Sequence, residues 1–142
     1  MEFVDFIVKA KKSTYASGKK SDIIDGFETL TYEEGEFSYR DKWKGHNPFG
    51  GQEVIRGNGE IIWVMNYYGK ANAHIEKVFA FLRKSLRNVT TDMPFRGPHM
   101  FKEGDFEYKN EFEGDINKFK GTEEILFQGE EVYKLEYHGG IV

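Results

Sequence analysis

Residues 51–69 read GQEVIRGNGEIIWVMNYYG. Asn58-Gly59 is the pair that a two-residue hairpin turn favours, because both central positions need positive φ. QEVIR (52–56) and IIWVMNYY (61–68) flank it, runs rich in β-branched and aromatic residues whose side chains alternate between two faces. Glu53 and Ile55 share one face of the first run, and Trp63, Met65 and Tyr67 one face of the second. The other face of the second run, with Ile62, Val64, Asn66 and Tyr68, is also largely apolar, so this strand is expected to be central or covered.

Working outward, FSYR (37–40) alternates in the same way, and its phrase EGEFSYRD (34–41) returns as EGDFEYKN (103–110). The offset from Gly35 to Gly104 is 69, and it aligns Phe37 with Phe106 and Tyr39 with Tyr108. One inserted residue later the offset is 70 and pairs Gly51 with Gly121, Glu53 with Glu123, Ile55 with Ile125, Gly59 with Gly129 and Tyr67 with Tyr137. Matches in this order read as an internal duplication. DFEYKN, TEEILFQ and EVYKLEYH then supply the later strands.

Two helices complete the pattern. From Glu2 to Ala16, Phe3, Phe6, Ile7 and Ala10 follow one helical face, and Gly18 suits a helix end. Asn72 is placed to cap a second helix with the face Ile75, Val78, Phe79, Leu82 and Leu86. Lys19 to Glu28 and Thr90 to His99 read as connections. The expected fold is α+β, one domain over residues 1–142 with halves 1–70 and 71–142. Each half is one helix plus three strands, and the halves pack as a pseudo-twofold pair on a curved, largely antiparallel sheet.

The bulk composition, 39% hydrophobic and 16% aromatic over 142 residues, is that of a chain that buries a core. The absence of cysteine removes disulfides, thiolate zinc sites and cysteine nucleophiles, and suits the reducing cytoplasm. The four histidines lack metal-ligand spacing, and neither HExxH nor GxSxG occurs, so neither metal nor cofactor is expected. A net charge of −4 argues against nucleic acid as a partner of this chain alone. Lys9, Lys11, Lys12, Lys19 and Lys20 read as a solvated face. No apolar run reaches the ~18 residues of a membrane span.

Two acids stand out. Glu53 and Glu123 each lie two residues before an inward isoleucine, on the apolar side of their strands. A carboxylate there must find a partner, take up a proton, or lose several kcal/mol. Two readings follow: both acids sit on the rim, paired with Arg40 or Lys109, or they anchor an aromatic-lined pocket. The second reading makes Glu53, Glu123, Trp63, Tyr39, Tyr67 and Tyr137 a binding site for a small amphipathic or cationic ligand. The alternatives are an interaction or homodimerisation module without ligand, and a hydrolase using Glu53 and a tyrosine. His46, in the loop Gly45 to Gly51, is positioned as a flap over such a mouth. His138 reads as an exposed residue.

Taken together, YEEGEFSYRD, GQEV, WVMNYYG and the terminal YHGG resemble a bacterial family known as a domain of unknown function (unknown-function domain 5680), over Phe3 to Gly140. That family occurs alone and behind Xre-type helix-turn-helix regions of transcription regulators. The resemblance therefore implies a sensor or oligomerisation part, and with no room for such a region before Phe3 the free-standing form is expected. A looser, fold-level likeness is to GyrI-like ligand-binding domains, which hold cations with a buried glutamate between aromatics.

Overall fold

The computed structural model describes residues 1–14 and 17–142. The chain opens with α1 (Phe3–Ser13), β1 (Asp22–Ile24), β2 (Phe27–Glu34), β3 (Phe37–Gly45), β4 (Phe49–Gly57) and β5 (Glu60–Ala71). It continues with α2 (Ile75–Leu86), β6 (Met100–Glu103), β7 (Phe106–Asp115), β8 (Lys118–Phe127) and β9 (Glu130–Ile141). The Asn58-Gly59 turn forms as its residues dictate, with φ of 52° and 86°, and Gln128-Gly129 repeats it with 50° and 83°.

All nine strands join one antiparallel sheet in the order β1-β2-β3-β4-β5-β9-β8-β7-β6. The class is α+β, but the strand count differs from three per half: a helix with five strands is followed by a helix with four. β2 was readable from the alternation of Leu30 and Tyr32 with Thr29 and Thr31. β1 and β6 were not, being edge strands of three and four residues with little burial to impose a pattern. As expected, β5 is central: it pairs with β9, and Tyr67 lies opposite Tyr137 at the seam.

Both helices cover one face of the sheet. Phe6 of α1 packs on Phe37, and Phe3 meets Trp63 edge-on. Phe79 of α2 meets Tyr133 and Phe81 stacks on Phe106. Each such ring contributes about 1.5–3 kcal/mol when fully buried. The predicted tail of α1 at Tyr15 and Ala16 lies outside the described residues. α2 opens after His74, whose φ is 50°, and not from Asn72, which donates its N–H to Val132 O. Ile75, predicted to face inward, is exposed.

Two glycines let tyrosines cross a strand. The Tyr67 phenol passes over Gly51 to reach Asp41, and the Tyr137 phenol passes over Gly121 to reach Asn110, each at hydrogen-bond distance (2.6 and 2.7 Å). A Cβ at either glycine would occupy the same space as the phenol. Gly121→Ala is therefore expected to destabilise by about 1–3 kcal/mol, the usual cost of overpacking. Urea unfolding checks this, and a loss below about 0.5 kcal/mol would mean that the ring has room to move.

Candidate functional site

Period-two alternation carries Tyr39 and Asp41 inward on β3, Glu53 and Ile55 on β4, and Glu123 and Ile125 on β8. Both glutamates have no exposed surface, so the rim reading and its partners are set aside. Arg40 is exposed, and Lys109 lies 3.8 Å from Glu107. The bases come from elsewhere. Lys11 Nζ donates to Glu53 Oε1 at 2.7 Å and to Phe95 O at 2.5 Å. Arg96 grips Glu123 with two N–H groups at 3.0 and 3.1 Å. Lys11 was read as part of a solvated face, yet it has no exposed surface. It continues the stripe of Phe3, Ile7 and Ala10, and burial holds its ammonium below the ordinary lysine range while Glu53 pulls it back.

Tyrosine hydroxyls complete both sites. Tyr39 donates to Glu53 at 2.6 Å, and Tyr108 and Tyr133 donate to Glu123 at 2.5 and 2.7 Å. Burial and the nearby Glu123 charge push Tyr108 and Tyr133 far above the ordinary phenol range, so both remain donors. Trp63 has no exposed surface, donates its indole N–H to Ile116 O at 3.1 Å and stacks on Phe119. Trp63, Tyr39 and Glu53 are thus all closed off from solvent.

An opening does exist one strand away. A cleft of about 550 Å³ lies between α2 and the first-half strands. Leu30, Trp43 and Phe49 wall it from the sheet, and Phe79, Leu82 and Leu86 from α2. Asp41, Tyr67 and Arg96, each less than a tenth exposed, form its floor. His46 lines this cleft, 3.1 Å from Glu76 and against the Phe79 ring. Its loop is pinned by Asn47, whose side chain bonds both the N–H and the C=O of Ala71 at 2.8 Å. Of the six predicted site residues only Tyr67 lines the cleft; Glu53, Glu123, Trp63, Tyr39 and Tyr137 support it from the core. A hollow of about 600 Å³ at Glu111, Lys120 and His138 is larger, but its charged groups are all exposed.

Asp41 is the chemically distinct group. It is 3% exposed, and burial with the adjoining Glu53 charge lifts its carboxyl to about 7, against the pull of the Tyr67 hydroxyl and Arg96. Among the described residues two bases, Lys11 and Arg96, are buried with three acids, Asp41, Glu53 and Glu123. Lys11 is hydrogen-bonded to Glu53 and Arg96 to Glu123, so ionised Asp41 leaves the cluster one negative charge in excess. Among the described residues Glu53 Oε2 is buried without a hydrogen-bond partner. In the second half the aligned residue is Asn110, a neutral amide closed off by Gly97 O and the Tyr137 hydroxyl.

The family described as Domain of unknown function (DUF5680) matches residues 41–142, and the chain belongs to it. Neither a curated protein nor a solved structure matches the chain.

Proposed function

We propose that the protein binds a small amphipathic cation in the cleft above Asp41, in a sensing or sequestering role. The observation that carries this reading is a buried carboxyl, at the foot of an aromatic-walled cleft, that forms no ion pair among the described residues while the nearby bases Lys11 and Arg96 bond other acids. A ligand ammonium on Asp41 would balance the buried charges, and Trp43, Phe49 and Phe79 offer apolar surface to its body. A sensing role is in keeping with the resemblance to regulator-associated domains. A hydrolase built on Glu53 gains no support, because Glu53 has no exposed surface and does not line the cleft.

Thermal unfolding at pH 8 with phenethylamine and tryptamine, against the corresponding alcohols, tests the proposal. At a hundred times its Kd a ligand adds about 2.7 kcal/mol, enough to raise the midpoint by several degrees. The amines are expected to raise it, the alcohols much less, and Asp41→Asn to remove the difference while staying folded. Equal responses to amine and alcohol, or an undiminished amine response in Asp41→Asn, would overturn the assignment.

A further inference from the structure

The mouth of the cleft carries basic groups, opposite in charge to Asp41 on its floor. Lys19 and Arg83 both line it, and both are exposed. Among the described residues neither forms an ion pair; Lys19 Nζ only reaches Thr31 O, at 3.4 Å. The acid on the same rim, Glu76, has a partner in His46 at 3.1 Å. Glu76, Phe79, Arg83 and Leu86 fall along one stripe of α2, so the basic part of the rim lies about two helical turns from the acidic part. Lys19, reaching Thr31 O of β2, lines the same cleft from the sheet side.

These charges bear on what can enter. A simple cation entering the cleft shares it with two positive groups that form no ion pair among the described residues, which disfavours it at low salt. A ligand that carries an anion at its outer end converts the same groups into partners. Resting on the cationic reading above, we infer that the cleft selects bipolar ligands, with an ammonium at the Asp41 floor, an aromatic or apolar body between the walls, and a carboxylate or phosphate at Lys19 and Arg83. The rim then acts as the specificity determinant and the floor as the anchor.

Calorimetric titration with benzylamine, para-aminomethylbenzoate and the one-methylene-longer homologue of the latter separates the two roles. At low salt the better-fitting bipolar probe is expected to bind about fivefold tighter than benzylamine, as two exposed ion pairs allow. That advantage is expected to shrink as salt is raised. The double variant Lys19→Gln/Arg83→Gln is expected to move the two probe types in opposite directions, weakening the bipolar ligand and strengthening benzylamine. A merely structural role for these side chains would move both alike. Equal binding of benzylamine and both bipolar probes, or parallel changes in the variant, would overturn the rim assignment and leave the cationic reading standing. If none of the three probes binds, both readings fall.

Discussion

Arg96→Ala is expected to destabilise the protein by about 3–5 kcal/mol, the usual cost of removing one partner from a buried ion pair. At ~2–4 °C per kcal/mol for a domain of this size, the thermal midpoint should fall by roughly 10 °C. The guanidinium supplies two of the four hydrogen bonds on Glu123, the others coming from Tyr108 and Tyr133. Without it a carboxylate that has no exposed surface keeps two hydroxyl donors but loses its counter-charge. The change also removes the guanidinium from its place 5.4 Å above the Tyr67 ring, on the floor of the cleft. Glu123→Gln in the same background should recover part of the loss, because a neutral amide oxygen still accepts from both tyrosines. A double-mutant cycle by denaturant unfolding isolates the pair. A loss for Arg96→Ala below about 1 kcal/mol would mean that water reaches Glu123.

The hairpins were legible because their turn chemistry is local: an Asn-Gly or Gln-Gly step takes positive φ whatever surrounds it. The inward direction of Glu53 and Glu123 was legible for a similar reason, since a strand's period of two follows from backbone geometry. The partners of those acids were not. Lys11 and Glu53 are 42 residues apart, and Arg96 and Glu123 are 27 apart. Nothing local says which base meets which acid. A signal for Lys11 did exist, because it lies four residues beyond Ile7 on the apolar stripe of α1, where a solvated lysine is out of place. Arg96 had no comparable signal: it sits between Pro94 and Pro98 in a segment without periodicity. Asp41 was readable as inward, two residues beyond Tyr39, but its isolation depends on Lys11 and Arg96 being engaged with other acids. Of the residues expected to form a pocket, only Tyr67 lines the cleft.

That isolation gives Asp41→Asn its expected effect, a gain in stability at pH 8 on the order of 2–4 kcal/mol. The folded carboxyl titrates near 7, above the ~3.9 of an unfolded aspartate. Between those values the unfolded chain has released its proton and the folded chain still holds one, so stability falls as pH rises. Asp41's contribution is therefore full below about pH 4, lost by about pH 7 and flat above that. Other carboxylates titrate over the same range, so the informative quantity is the difference between variant and wild type measured across pH. It is expected to rise from near zero at pH 4 to a plateau above pH 7. The new amide oxygen can still accept from Tyr67, and position 41 lies opposite Glu53, whose Oε2 lacks a donor among the described residues. Asn110 already holds the aligned position in the second half, bonded to Tyr137 and Gly97 O. An aspartate at position 41 thus costs the fold stability that asparagine would not, and such a cost is reasonable where the charge has a ligand to meet. A flat difference curve, or a loss of stability at pH 8, would mean that Asp41 is compensated within the fold and would remove the physical reason for a cation in the cleft.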